Sequence, residues 1–420
     1  MKHLQSILGI ASMVLCLSAL GGFAQTEGIV GEVPALSITV EAQEDTAAHT
    51  PMTVTVDEHI YLSQPLYLEG PDGMELPCMA LPADEEGATQ LAFILPAMSA
   101  GDSATFALKA GRVDSDNGLS VNRENNTLIV EIGGEEFTTY DFSLTPQQPR
   151  PIFYPLFGPE GERMTRGYPM QPFEGEADDH PHHQSLWVSH GDVNGVNFWH
   201  LDDDEQAYQR HLGFDSIYIG PVCARFTQQL RWEDHEGNGV IHETRTITIW
   251  GTPDESRMID FDMTFTPAEG DVTWGDTKEG GLVSLRVAHT MRERRPDGEP
   301  GGVITTADGN TTEGDAWGTN APWCDYSGPV GDSTAGLSIL CHPDNPLKSH
   351  YHVRGYGLFT ANPFGLSFFL GDDHDGTQVL EIGDAWNFNY RVYVHAGDVE
   401  GGSVDEAYAG YADGLSAEVQ

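Results

Sequence analysis

Basic residues are scarce in this 420-residue chain: Lys and Arg number 20 against 65 Asp and Glu, a formal net charge of −45. A surface so acidic repels phosphate backbones and anionic lipid headgroups, which argues against a nucleic-acid partner and against a charged membrane surface. Cysteine is scarce as well, and the four beyond the N-terminal leader are Cys78, Cys223, Cys324 and Cys341. None stands in a Cys-x-x-Cys pair, so a zinc ribbon is not supported. Export would permit a disulfide, with Cys324 and Cys341 as the candidate pair. Beyond the leader no apolar run reaches the length of a membrane-spanning helix. The sequence also lacks an HExxH helix, an EF-hand loop, a phosphate-cradling GxxxxGK[ST] loop, a GxSxG elbow and a dinucleotide fingerprint after a strand.

The N-terminus has a short polar start at Lys2 and His3, an apolar or small run over 7–23, and a small-residue exit at Ala24 and Gln25. That is the pattern of a cleaved secretory signal, with residues 1–25 removed and the product periplasmic or extracellular. Cys16 lies inside the run without the small residues that lipidation needs after it. The strong acidity reads as solubility, with salt screening the self-repulsion.

Long Ala/Leu/Glu/Lys stretches are few, whereas 48 Gly and 25 Pro punctuate the chain. Short β-prone runs lie between the punctuation, at 52–56, 127–132, 244–250, 258–265, 282–288, 336–340, 366–369 and 390–395. Thr and Ile alternate through 244–250, the signature of a strand with one face in water. Only 404–412 reads as a helix. An all-β fold is predicted: a small β-sandwich domain over 26–145, then a large antiparallel β-sandwich over 146–420. The boundary rests on the proline-rich stretch at 145–150, which cannot be a central strand.

Chemistry-bearing residues concentrate in the second part. Five of the 17 histidines fall between Asp178 and Trp199-His200. His180, His182, His183 and His190 alternate there with Trp187, Asp192, Asn194 and Trp199. His180 and His182 would share a face if extended, although Pro181 favours a loop. Aromatic walls with a few fixed polar groups suit a sugar, whose C–H faces stack on rings and whose hydroxyls need donors and acceptors. Asp276, Lys278 and Glu279 form a second group, in which a lysine beside carboxylates can push their pKa values apart for acid–base work. His352, Arg354 and Tyr356 alternate and would line one face of a strand. Asp325, Asn362 and Arg391 complete the candidate ligand contacts; Arg391 shares a strand face with Tyr393 and His395, opposite Val392 and Val394. Spacing in the histidine stretch is compatible with a divalent metal held by His180, His182, His183 or His190 with Asp179 or Asp192. No organic cofactor is implied.

These motifs together resemble a family of unknown function often labelled "methane oxygenase PmoA". The resemblance rests on Asp179-His180-Pro181-His182-His183, Ser185-Leu186-Trp187 and His190-Gly191-Asp192-Val193-Asn194-Gly195. It continues through Arg150-Pro151, Asp276-Thr277-Lys278-Glu279-Gly280, Trp323-Cys324-Asp325-Tyr326, His342-Pro343, Arg354-Gly355-Tyr356-Gly357 and Asn362-Pro363-Phe364-Gly365. It covers about 145–398, with Gln184 where arginine is expected, a departure that bears on ligand charge. True methane monooxygenase subunits of that name span the membrane several times, and this sequence has no such segments. The resemblance implies a secreted bacterial protein of the kind found among carbohydrate-degrading systems, with a β architecture similar to the galactose-mutarotase supersandwich. The expectation is a carbohydrate- or glycoside-active enzyme using a histidine–carboxylate acid–base pair for hydrolysis, elimination or epimerisation. The alternatives are a carbohydrate-binding module and a partner-binding exported protein.

Overall fold

The computed structural model describes residues 33–420 except 84–86, 114–117, 203 and 253–255, so the predicted signal lies outside the described residues. The chain is all-β, 49% strand and 6% helix, as its short turn-bounded runs predicted. Two eight-stranded antiparallel sheets face each other. One, which carries the candidate site, runs in spatial order His350–Val353, Leu358–Asn362, Gly280–Arg286, Leu186–His190, Ile152–Leu156, Glu135–Asp141, Thr127–Ile132, Ser120–Glu124. The other is built on long strands: Tyr208–Ile219, Cys223–Glu233, Gly239–Trp250, Ser256–Pro267, Trp386–Ala396, Ser333–Cys341, Trp323–Val330, Val303–Thr306. One apolar core fills the space between them, with Leu186, Val188 and Val283 from the site sheet and Ile247, Phe261 and Val392 from the long sheet.

Within that core the strand Gly239–Trp250 also turns Glu243 and Arg245 inward, 0% and 1% exposed. They form a two-pronged ion pair (Arg245 Nε to Glu243 Oε1 2.6 Å, Nη2 to Oε2 2.9 Å), and Trp232 Nε1 donates to the same carboxylate at 2.7 Å. The opposite face of this strand is half-buried at Thr244 and Thr246 and closed at Thr248. Alternation therefore marks a strand whose outer face is covered at one end only.

The cover is a seven-stranded sheet formed from residues 37–110 and the C-terminal strand Leu415–Val419, which pairs with Ser37–Ala42. It has its own apolar cluster around Ile38, Val40, Leu68, Leu91 and Phe93. A mixed cluster joins it to the long sheet, with Leu81 and Ala92 against Trp250, Met258 and Tyr393 and against Val404 and Ala407 of a helix, Val404–Tyr411. The sheets therefore do not divide at 145. Strands Ser120–Glu124 to Glu135–Asp141 belong to the site sheet, because Glu135–Asp141 continues the pairing of Ile152–Leu156 (Ile152 opposite Asp141). Prolines at 149 and 151 mark a turn between two strands of one sheet.

Residues 366–369, read as a strand, form a short helix, Leu366–Leu370. Periodicity cannot separate strand from helix in four apolar residues. Here the Asp276 carboxylate accepts the Ser367 amide at 3.1 Å and starts the turn. The four described cysteines are all free, so Cys324 and Cys341 are not bridged.

Candidate active site

The loop between residues 178 and 185 is folded by arginines rather than by strand pairing. The Arg166 guanidinium donates to the carbonyls of Asp179 (2.9 Å) and His180 (3.0 Å), and Arg150 donates to the carbonyl of His182 (2.7 Å). Both arginines are buried, 1% and 0% exposed, and supply donors that a loop without a ladder partner would otherwise lack. His180 (φ 46°) and Ser185 (φ 61°) take left-handed backbone on either side of His182-His183. This geometry turns the histidine rings to one side instead of alternating them, and Ser185 starts the core strand Leu186–His190.

The result is a cleft of about 390 Å³, within the range of small-molecule sites. His180, His182, His183 and His200 line one wall. Lys278 and Glu279, just before strand Gly280–Arg286, form another, and His352, Arg354 and Tyr356 close it. These last three do not share a strand face, since the strand ends at Val353. The turn that follows, with Gly357 at φ 101°, swings Arg354 and Tyr356 back over the cleft.

Two histidines present opposite hydrogen-bonding faces. A guanidinium only donates, so Arg286 Nη1, 3.0 Å from His183 Nδ1, makes that nitrogen the acceptor and places the proton on Nε2. At His352, Nδ1 donates to the Lys278 carbonyl at 2.7 Å, which leaves Nε2 as the bare imine nitrogen. Both Nε2 atoms are buried and have no protein partner, and both residues line the cleft. One is thus a hydrogen-bond donor and the other a base. The Asp179 carboxylate orients the donor's support: Oδ1 accepts Arg286 Nη2 at 3.0 Å and Arg166 Nη1 at 2.8 Å.

The charges reinforce this assignment. Burial, then the neighbouring Arg354 and Lys278, push His352 down to about 3. Burial, then His182 and Arg286, hold His183 well below the ordinary imidazole value. Burial, with His200 and Arg150 adding, pushes His182 down to about 2, and burial alone pushes His190 to about 4 against its hydrogen bond to Gly275. Burial and then Arg354 lower the Lys278 ammonium. Burial tends to raise Asp179, but Arg286, His180 and Arg166 together bring its carboxyl below the usual range.

These shifts set the pH dependence of folding. A histidine with a depressed folded value takes its proton more readily in the unfolded chain, so stability falls as pH drops below the ordinary value near 6.5. Going from there to pH 5 is expected to cost about 2 kcal/mol for each of His182, His190 and His352. Thermal unfolding between pH 7.5 and 5 checks this, and a midpoint constant over that range would contradict it.

The remaining candidates sit elsewhere. His190 is fully buried behind the cleft, with Nε2 donating to the Gly275 carbonyl at 2.9 Å and its ring between Trp274 and Phe364. The strand beside it opens with two glycines for this reason: a Cβ on Gly280 would overlap the His190 ring, and one on Gly281 would overlap Thr360. Gly280→Ala is expected to destabilise by about 1–3 kcal/mol, measured by denaturant unfolding. Asp276 accepts the amides of Ser367 and Gly376. Asp192 caps its own turn by accepting the Gly195 amide, and Asn194 bridges to Asp271 and Thr273. Asn362 holds the loop from beneath, donating to the Thr277 carbonyl at 2.8 Å.

Trp187 and Trp199 are 1% and 0% exposed and back His183 at ring separations of 5.5 and 5.7 Å, so they support the wall instead of offering a stacking face. Gln184 points away from the cleft, donating to the Gln147 carbonyl. Asp325 is buried against Ser338 and His395, each at 2.9 Å. Arg391 pairs with Asp260 through two hydrogen bonds of 2.6 and 2.8 Å, on a separate groove of about 1030 Å³ between the long sheet and the N-terminal sheet.

The candidate set omitted Arg294, Glu313 and His200, which line the cleft, and Arg166 and Arg286, which hold it together with Asp179, a residue weighed only as a metal ligand. Glu313 ion-pairs with Arg294, lies 3.5 Å from Arg354 and accepts the Gly355 amide at 2.9 Å. His200 and Asp179 bound the histidine stretch and were within reach of a sequence argument; nothing local marks Arg294 or Glu313. Among the described residues, no group of three or more His, Cys, Asp or Glu is arranged to hold a metal ion. No described helix is long and apolar enough to cross a membrane.

Comparison with known proteins adds little chemistry. No curated protein matches the chain. Among solved structures, an alpha-mannosidase from Enterococcus faecalis V583 aligns over 92% of this chain and 46% of its own length, with 11% identity and a TM-score of 0.38. A glycosyl hydrolase family 38 protein from Enterococcus faecalis aligns over 92% and 47%, again with 11% identity and a TM-score of 0.38. The chain thus spans less than half the length of either, and a likeness this weak bears on no residue or activity. A family model matches residues 127–409, the span that contains the cleft, the long-stranded sheet and all of the site sheet except its edge strand Ser120–Glu124, and by that match the chain belongs to the DUF6807 family of unknown function.

Proposed function

We propose that this protein is an exported carbohydrate- or glycoside-active enzyme that works by acid–base chemistry in the histidine cleft. The single observation that carries the reading is the tautomer of His352, a cleft-lining residue whose buried Nε2 is bare and unpartnered. A neutral imidazole nitrogen can accept a proton from a hydroxyl, a water or a C–H group, and an anion bound beside Arg354 and Lys278 would raise its basicity from about 3 toward the working pH. His183 Nε2–H, fixed by Arg286, is suited to hold an oxygen on which negative charge develops. Glu279, paired with Lys278 at the opposite wall, is the carboxylate partner. Hydrolysis, elimination and epimerisation all use such a set.

A sugar-binding module would offer a flat aromatic face. Trp187 and Trp199 behind His183 are buried instead, and the half-buried Trp317 beside His352 is covered by Arg354, which favours the enzyme over the module. Export follows from the leader pattern at residues 1–25. The test is a turnover screen of the mature protein against glycosides, including oxidised sugars, with and without chelator. Turnover lost in His183→Ala with thermal stability retained supports the reading. Sugar binding without turnover of any substrate overturns it in favour of a binding module.

A further inference from the structure

The cleft carries the wrong sign of charge for this chain. Over the whole sequence acidic residues outnumber basic ones by 65 to 20. Yet the cleft wall has three cations, Lys278, Arg294 and Arg354, against two carboxylates, Glu279 and Glu313. Behind it lie Arg150, which donates to the carbonyls of Phe198, Trp199 and His182, and the pair Arg166 and Arg286, which share the Asp179 carboxylate.

One of the wall cations is not neutralised in place, since Lys278 pairs with Glu279 and Arg294 with Glu313. Glu313 stands 3.5 Å from Arg354 and is already engaged by Arg294 and the Gly355 amide. The Arg354 Cζ sits over the Trp317 ring, 3.9 Å from its centroid, which holds the guanidinium without supplying an anion. Lys278 sits near enough to feel it: burial, and then Arg354, lower its ammonium. The same cleft is lined by His352, whose Nε2 is bare, and by His183, whose N–H is unpartnered. Cations crowded together in a half-buried site are stabilised when an anion enters, and one net positive charge at the wall matches a monoanion.

We propose that the ligand of this cleft is an anionic sugar, its ring bearing one oxyanion substituent, a carboxylate or a sulfate ester, seated against Lys278 and Arg354. The assignment rests on the carbohydrate reading above and narrows it to charged sugars. Arg354 and Lys278 contribute recognition, while His352 and His183 stay free for the reacting atoms.

The experiment uses calorimetric binding and turnover with matched methyl glycosides in the gluco, galacto and manno series: the uronate, the 6-sulfate and the neutral parent. In at least one series an anionic member is expected to bind the mature protein about tenfold more tightly than its neutral parent. That preference is expected to fall to within about twofold in Arg354→Gln or Lys278→Gln, each with unchanged thermal unfolding. Preference for the uronate identifies a carboxylate ligand, and preference for the 6-sulfate a sulfate ester. Neutral parents bound as tightly as the anions, a preference that survives both substitutions, or binding of no member overturns the proposal. Turnover confined to neutral sugars overturns it while leaving the enzyme reading intact. Preferential binding of anions with no turnover leaves it standing and defeats the enzyme reading.

Discussion

Replacing His352 with glutamine is expected to reduce turnover by about 10²–10⁴-fold, the usual contribution of a positioned general base. Glutamine retains an amide N–H that can reach the Lys278 carbonyl, so the loop carrying Lys278 and Glu279 keeps the anchor that His352 Nδ1 supplies at 2.7 Å. What it loses is the bare imidazole nitrogen of a residue that lines the cleft. Binding of ligand is expected to persist, so the loss falls on kcat and little of it on KM. A glutamine variant with full turnover and native stability would remove His352 from the chemistry. The pH profile gives an independent check. With His352 held at about 3 and His183 lower than its ordinary value, kcat/KM is expected to show no inflection near 6.5, and acid loss is expected to follow unfolding.

The second large effect concerns folding. Glu243→Leu is expected to destabilise the protein by about 3–5 kcal/mol, because it leaves the Arg245 guanidinium charged and unpaired in the sandwich core. It also deprives Trp232 Nε1 of its acceptor. The side chains are 0% and 1% exposed, so water cannot take over either role. Replacing both residues together, Glu243→Leu with Arg245→Met, is expected to recover much of the loss, since a well-packed apolar pair removes two buried charges at once. Denaturant unfolding of the single and double variants measures it. A double variant as unstable as the single one would mean that the ion pair is needed for more than charge balance.

Strand content and the sandwich were legible because β-branched runs between glycine and proline turns reflect a local rule. The helix at Val404–Tyr411 was legible for the same reason. Two features that depend on long-range partners were not. The prolines at 149 and 151 look like a domain boundary, yet the sheet runs through them, because the pairing of Ile152 with Asp141 is set by the core and not by the turn. The apolar run 366–369 looked like a strand until the carboxylate of Asp276, 91 residues away, started a helix there.

The site divides in the same way. Its histidines stood out by density, and five of the seven catalytic candidates line the cleft: His180, His182, His183, Lys278 and Glu279. His190 and Asp276 carry equally suggestive neighbours but point into packing and loop-capping roles. Arg354 and Tyr356 reach the cleft by a turn rather than by strand alternation, and Arg391 lies across the long sheet on another groove. Residue type and spacing reveal which groups are chemically unusual. Which nitrogen of a histidine faces the ligand depends on a partner such as Arg286, 103 positions from His183.

The central claim is that the cleft holds two neutral histidines of opposite tautomer, a donor at His183 and a base at His352. Nitrogen NMR of the histidine-labelled protein, assigned with His183→Gln and His352→Gln, reads this directly. The account predicts His183 protonated on Nε2 and His352 protonated on Nδ1, both uncharged from pH 7.5 down to about 5. An imidazolium signal for either residue at pH 6, or the same tautomer for both, would contradict it.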